Sequence, residues 1–258
     1  MARAQCGRLA RDFFTRTGEG VAALRAAVTG AGPVRAAYVG CAAASVIAAG
    51  TGATRAFRWV KPALMPLLAA SVASRPAQEP GTSGVEQAVL CAGLAGAWVG
   101  DLLLLRGPEG QRQLRGVNQA AAAFALNHAV YQVLLHRRGA RLGVKAAAVR
   151  AGVWAAALGV TAGSARPALP AAAGYGALVA GTSALANDPA LRGKGVAAQG
   201  LGHGGNLFAV SDALIAARLV LGRRGWLAAR HWADRGLHAG VLATYVIAQL
   251  LLAEGLSR

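Results

Sequence analysis

Successive apolar segments, each long enough to cross a bilayer as a helix, dominate the chain. A transmembrane helix needs about 20 mainly apolar residues, and eight segments of that kind follow one another with short linkers marked by Pro and Gly. They lie at 34–53, 56–74, 85–105, 116–136, 143–163, 168–186, 198–221 and 237–256. The sequence therefore predicts an all-α fold, a polytopic membrane helical bundle of about eight transmembrane helices. Seven is the alternative, because basic residues interrupt the first and fifth segments.

The charge pattern supports a membrane location. A net charge of +17 would suggest nucleic acid in a soluble protein, but 55% of these residues are hydrophobic and 14% are charged. The basic residues cluster between the apolar segments, where they set topology and meet phospholipid headgroups. We therefore expect no nucleic-acid partner. We expect a multi-pass integral membrane protein, in the cell membrane if the host is bacterial, and loop charges that favour a cytoplasmic N-terminus.

The N-terminal 33 residues differ from the rest in being rich in arginine. They lack the uninterrupted apolar core of a secretory signal. We interpret residues 1–33 as a basic N-terminal tail, with an interfacial helix as the alternative, and residues 34–258 as the eight-helix transmembrane domain.

Two aspartates lie well inside apolar segments, where a charge costs at least about 2.5–3.5 kcal/mol. Asp101 is near the end of the third segment and Asp212 is in the later half of the seventh. Lys61 is near the start of the second segment, and Tyr245 is in the first half of the eighth. Because chain direction alternates between spans, all four share one half of the bilayer. They predict a polar pocket reached from one leaflet, since buried ionisable groups face protein or water.

Further polar residues lie near this depth on two segments. His128 and Tyr131 share a helix face with Phe124 on the fourth segment, and Gln249 is a neighbour of Tyr245 on the eighth. No residues show a defined metal-ligand spacing, so neither a metal nor another cofactor is expected. The glycine-rich stretch at 200–205 predicts a close helix-packing surface.

Each polar residue also has a structural interpretation. Lys61 and Asp101 form a stabilising pair in that interpretation, and His128 is a helix-packing histidine. The intramembrane tyrosines are interface aromatics, and Gln249 and Asn127 hold helices together by hydrogen bonds.

Five short motifs occur in order on successive apolar spans: KPALMPLLAAS, GDLLLL, FALNHAVY, FAVSDALI and TYVIAQLL. Together they resemble the YhhN/TMEM86 family of lysoplasmalogenases over roughly residues 34–256. The resemblance implies an eight-helix membrane enzyme whose substrate is a lysophospholipid in the membrane. Such an enzyme hydrolyses the vinyl ether bond of lysoplasmalogens to a fatty aldehyde and glycerophosphoethanolamine or glycerophosphocholine.

The resemblance also implies site residues, carried over by matching motif positions. They are Lys61 with Pro62, Gly100 with Asp101, Phe124, His128, Tyr131, Ser211 with Asp212, Tyr245 and Gln249. The chain departs from the family pattern at Val117 and Ala120, where Phe and Gly are usual. These departures affect packing and pocket width, and hence substrate choice more than reaction type.

Two carboxyl groups at one membrane depth suit this chemistry. A vinyl ether opens by protonation of an alkene carbon, and water captures the resulting oxocarbenium ion. Paired-carboxylate glycosidases pass through a similar ion with one protonated and one ionised acid. We therefore expect Asp212 to be the general acid and Asp101, beside Lys61, to stay ionised; the reverse assignment is the alternative.

The remaining site residues have supporting roles in this hypothesis. His128, Tyr131 and Tyr245 position water or relay protons. The groups expected to hold the substrate phosphate are cationic, namely Lys61, Arg106, Arg112, Arg115 and Arg223.

Two other functions stay open at this stage. A membrane transporter would use the intramembrane Asp and Lys residues to carry protons or bind a solute. The lack of an evident inverted repeat or of broken-helix pairs favours the enzyme. A noncatalytic lipid-binding protein would use the acids only to specify helix packing.

Overall fold

The computed structural model describes residues 2–29, 32–75, 84–105 and 111–258, with the side chains of 2–14 and 111–115 excepted. These residues form helices and connecting turns without strands. The helices are α1 (Ala2–Thr29), α2 (Pro33–Thr51), α3 (Thr54–Val60), α4 (Leu64–Ala73), α5 (Gly84–Leu105), α6 (Gln111–Arg137), α7 (Val144–Ser164), α8 (Gly176–Ala186), α9 (Val196–Arg223) and α10 (His231–Leu256).

The prediction of a membrane helical bundle is confirmed. All eight apolar segments of the sequence coincide with helices or helical runs. Within the described ranges, five helices are long and apolar enough to cross a membrane, namely α2, α5, α7, α9 and α10. The chain is therefore an integral membrane protein.

Two of the predicted segments are interrupted rather than continuous α-helices. In the second, a 3-10 turn at Lys61–Ala63 separates α3 from α4, where Pro62 supplies no backbone N–H. In the sixth, a π-helical turn at Ala171–Tyr175 precedes α8. The expectation that broken helices are lacking is therefore wrong. Both interruptions contribute to the wall of a cavity, which is where irregular backbone is tolerated at membrane depth.

Glycines bring the central helices close together, as predicted for residues 200–205. A Cβ atom on Gly204 of α9 would lie 2.9 Å from Leu252 of α10. On the neighbouring face, a Cβ on Gly205 would lie 3.0 Å from Ala186 of α8. The helix α9 is thereby packed between α8 and α10, and the predicted close-packing surface is confirmed.

The N-terminal segment is helical through Thr29 and packs against α9 and α10. Ala23 is buried in this contact, against Gly200 of α9. Gly20 lies so close to α9 that an added Cβ would be 2.7 Å from the His203 ring. The segment that we interpreted as a tail therefore contributes a packed helix.

A buried ion cluster lies where α2 begins and α10 ends. Arg35 Nη1 donates to Glu254 Oε2 at 2.9 Å, and Arg35 Nε donates to Ser71 Oγ at 3.1 Å. Arg75 also donates to Glu254 Oε2, and Arg258 Nε donates to Glu254 Oε1 at 2.6 Å. We call these residues the Glu254 cluster. It accounts for the arginine that made the first predicted span uncertain, because Arg35 has a carboxylate partner inside the bundle.

Candidate functional site

A cavity of about 930 Å³ lies among α3, α5, α6, α9, α10 and the π-helical turn. Its volume is within the range of small-molecule binding sites. The structure brings together many of the residues singled out from the sequence, because the cavity is lined by Lys61, Asp101, Phe124, Ser211, Asp212 and Tyr245.

Asp101, on the last turns of α5, is 1% exposed. Its Oδ1 atom is 3.2 Å from Lys61 Nζ, and the Tyr245 hydroxyl donates to its Oδ2 atom at 2.8 Å. Gly100 allows Phe124 of α6 to lie against α5, since a Cβ there would be 2.6 Å from the ring. Asp101 is thus a carboxyl with one cationic partner and one hydroxyl partner.

Asp212 lines the same cavity in a different environment. It is half-buried on α9, and the hydroxyl of Tyr175 donates to its Oδ2 atom at 2.8 Å. Within the described part of the chain, no cation lies within ion-pair distance of its carboxyl group. The two acids therefore share a cavity but differ in their partners.

Tyr175 was missed by the sequence argument. The hydroxyl group reaches Asp212 from the π-helical turn, and the ring centroid lies 6.2 Å from that of Phe124. A signal was present, because Tyr175 is near the start of an even-numbered apolar segment, as Lys61 is. The rule of alternating chain direction therefore places both residues in the same half of the bilayer.

A chain of hydrogen bonds continues behind Asp101. Gln249 Nε2 donates to the Tyr245 hydroxyl at 3.4 Å and to Asn127 Oδ1 at 3.3 Å. The Tyr131 hydroxyl donates to Gln249 Oε1. Tyr131 and Gln249 lie outside the cavity wall. Gln249 contacts Tyr245 directly, and Tyr131 contacts Gln249, so both are linked to Asp101 only through other residues.

His128 is fully buried and does not line the cavity. Its Nδ1 atom is 3.0 Å from Thr182 Oγ1. Its ring packs against Phe208 at 4.4 Å and Tyr175 at 5.4 Å between centroids. The structure therefore places His128 behind Tyr175 rather than beside either acid.

Ser211 lies next to Asp212 in the sequence and is buried in the cavity wall. Its hydroxyl donates to the backbone oxygen of Val241 at 3.1 Å, which joins α9 to α10. This bond engages the hydroxyl in helix packing.

Charged residues at the mouth of the cavity come from three helices, and we call them the rim cluster: Arg58, Arg218, Arg223 and Asp234. Of the residues expected to hold phosphate, Arg223 is among them. The side chains of Arg106, Arg112 and Arg115 lie outside the described residues. Lys61 also lines the cavity, but it is paired with Asp101.

The fold and the cavity define a class of protein: an integral membrane helical bundle with a buried site of two carboxyls, one lysine and two tyrosines. The chain belongs to the YhhN family, whose model matches residues 56–256, and the family resemblance is thereby confirmed. The matched range contains every site residue named above and excludes α1 and α2. No match was found among curated proteins or among solved structures.

Proposed function

We propose that the protein hydrolyses the vinyl ether bond of lysoplasmalogens, releasing a fatty aldehyde and a glycerophospho-alcohol. The main supporting observation is that Asp101 and Asp212, from distant parts of the chain, line one intramembrane cavity with different partners. Membership of the YhhN family is consistent with a hydrolase of this kind.

Asp212 is the proposed general acid. It lies in the cavity wall without a cationic partner among the described residues, and a carboxyl in such surroundings favours its neutral, proton-carrying form. Tyr175 is a positioning residue in this mechanism. By donating to Oδ2 of Asp212, it leaves Oδ1 to carry the acidic hydrogen toward the substrate.

Asp101 is the proposed ionised partner. The Lys61 ammonium and the Tyr245 hydroxyl both favour its carboxylate form. The carboxylate stabilises the positive charge that develops when the vinyl ether is protonated, as the second acid does in glycosidases.

The proposed reaction is balanced as a hydrolysis. Asp212 gives its proton to the alkene carbon remote from oxygen, and an oxocarbenium ion forms at the carbon that bears oxygen. Water adds to that carbon and returns a proton to Asp212, which restores the acid. The resulting hemiacetal then breaks its bond to the glycerol oxygen, which takes the hydroxyl proton, and the fatty aldehyde leaves.

We also propose a location and orientation, in the cell membrane of a bacterial host with the N-terminus in the cytoplasm. The cavity mouth is formed where α5 and α9 end and α10 begins. In this orientation the mouth opens at the outer leaflet, because eight alternating spans place those ends on the side opposite the N-terminus. The loop charges support this orientation.

The proposed reaction is tested with the purified full chain in detergent micelles or nanodiscs. An alkenyl lysophospholipid and the matched acyl lysophospholipid are incubated separately, and free fatty aldehyde and fatty acid are measured by mass spectrometry. We expect aldehyde from the alkenyl substrate and no product from the acyl one. If neither gives a product while liposomes containing the protein show proton-coupled flux, the chain is a transporter instead.

A further inference from the structure

The rim cluster contains an ion pair with a particular geometry. Nε and Nη2 of Arg218, on α9, both lie 2.9 Å from Oδ1 of Asp234, on α10. Oδ2 of Asp234 has no partner among the described residues. This oxygen is therefore free to accept a further hydrogen bond at the cavity mouth.

The rim cluster also carries an excess of positive charge. Arg58 and Arg223 are exposed and form no ion pair within the described part of the chain. Three arginines and one aspartate thus line the mouth. Such a site attracts an anion, and arginine is particularly suited to phosphate oxygens.

Exposed tryptophans indicate the depth of the mouth in the membrane. Trp59, Trp226 and Trp232 are 79%, 40% and 76% exposed, and each lies within three residues of a rim-cluster residue. Tryptophan is enriched at the level of the lipid headgroups. The arginines of the rim cluster therefore lie at the depth where phospholipid phosphates occur.

We propose that the rim cluster is a binding site for a zwitterionic phospholipid headgroup. Arg58, Arg218 and Arg223 bind the phosphate, and Oδ2 of Asp234 accepts a hydrogen bond from, or lies beside, the headgroup ammonium. Such a headgroup carries a phosphate and an ammonium, and the rim cluster offers guanidinium groups for the first and a carboxylate oxygen for the second. This inference deepens the proposed function and rests on it for the reaction that follows binding.

Binding is measured on the full chain with three unreactive alkyl-ether probes that lack the double bond. One carries phosphoethanolamine, one, the phosphate probe, carries phosphoethanol, a singly charged phosphodiester without an amine, and one is the alkylglycerol without phosphate. We expect the phosphoethanolamine probe to bind most tightly. The paired variant Arg218→Gln with Arg223→Gln should weaken both phosphate probes by about tenfold to a hundredfold, as expected for lost charge-assisted hydrogen bonds, and should leave the alkylglycerol unchanged.

Two further variants separate headgroup binding from helix packing. Asp234→Asn should remove the advantage of the phosphoethanolamine probe over the phosphate probe. Exchange of the pair, Arg218→Asp with Asp234→Arg, retains an ion pair between α9 and α10 and should retain the melting temperature while losing the preference. Arg224→Gln is the matched control, because Arg224 contacts Ser164 and lies outside the cavity wall.

The outcomes for binding and for turnover are distinguishable. Unchanged probe preference in both the double glutamine variant and the exchanged pair overturns the headgroup site, even if aldehyde is released. A preference that depends on the rim cluster supports the headgroup site, even if alkenyl substrates give no aldehyde and the proposed reaction fails.

Discussion

The Glu254 cluster and the cavity acids are two ways of placing carboxyl groups inside one membrane bundle. Glu254 is 2% exposed and contacts three arginines. In the cavity, Lys61 pairs with Asp101, and Asp212 has no cation within ion-pair distance among the described residues. The Glu254 cluster has more cations than acids, whereas the group of Asp101, Asp212 and Lys61 has more acids than cations and lines a large cavity.

The contrast separates a structural role from a chemical one. A buried carboxylate surrounded by guanidinium groups holds helices in one arrangement and has little freedom to exchange a proton. A carboxyl without a cation at membrane depth is costly to maintain, and such groups mark functional sites by default. The Glu254 cluster therefore joins α2, α4 and α10, whereas Asp212 is the proposed general acid.

The largest effect is expected from Asp212→Asn. Loss of a general acid lowers the rate of aldehyde release by about a hundredfold to ten-thousandfold. Stability should be retained, because asparagine has the same shape and its amide oxygen still accepts the Tyr175 hydroxyl. Aldehyde release and thermal unfolding are measured on the same preparation. Wild-type turnover in this variant would remove Asp212 from the mechanism.

Asp101→Asn gives the sharper comparison within the cavity. It should lose activity as well, but it also leaves Lys61 buried without its carboxylate partner. We therefore expect lower thermal stability than in Asp212→Asn, since breaking a buried ion pair costs about 3–5 kcal/mol. Equal melting temperatures for the two variants would contradict the different environments assigned to the two acids.

Glu254→Gln should lower stability and leave activity close to wild type, which is the reverse of the result expected for Asp212→Asn. The change leaves Arg35 buried without its carboxylate, and we expect a loss of about 3–5 kcal/mol in the free energy of unfolding. Activity per folded molecule should stay close to wild type, because the cluster lies at the other end of α10 from the cavity. Aldehyde release normalised to folded protein checks this. A loss as large as that of Asp212→Asn would place Glu254 in the catalytic pathway.

Tyr175→Phe is expected to have a smaller effect. Removing the hydrogen bond to Asp212 should lower aldehyde release by about tenfold, equivalent to roughly 1.4 kcal/mol. The matched control is Tyr38→Phe, which removes a buried hydroxyl bonded to the Val246 backbone oxygen at 2.7 Å. The control should cost stability but little activity. Equal losses of activity in the two variants would argue against a positioning role for Tyr175.

The smallest effect is expected from Asp188, a loop carboxylate between α8 and α9. Backbone N–H groups of Ala190 and Arg141 donate to it and hold its pKa below the ordinary value of 3.8. The stabilisation is therefore present above that pH and is lost as the pH falls below it. Asp188→Asn should flatten the acid side of the stability curve by a few tenths of a kcal/mol, roughly, because the group is solvated. The melting temperatures of the wild type and the variant across the acid pH range measure this difference in stability.

The sequence predicted that four residues of the site lie at a similar depth in the membrane. Lys61, Asp101, Asp212 and Tyr245 were placed in one half of the bilayer by the alternation of chain direction, and all four line the cavity. The rule works because the length of each apolar segment fixes where its ends lie in the membrane.

Partners of these residues were less accessible. Tyr175 reaches Asp212 from a π-helical turn, and no periodicity argument contains that turn. His128 has the depth of a site residue but lies behind the cavity wall. Asp234 lies just before the eighth apolar segment and was not among the residues singled out, although it meets Arg218 across two helices.

The sequence by itself determined the class of fold and the grouping of Lys61, Asp101, Asp212 and Tyr245, because both follow from the distribution of apolar residues along the chain. Only the tertiary structure decided which side chains meet. Rotation of each helix about its axis and its choice of neighbours depend on close packing at residues such as Gly100 and Gly204. In a lipid environment that packing, rather than hydrophobic burial, holds the helices together, and it leaves no simple periodic signal in the sequence.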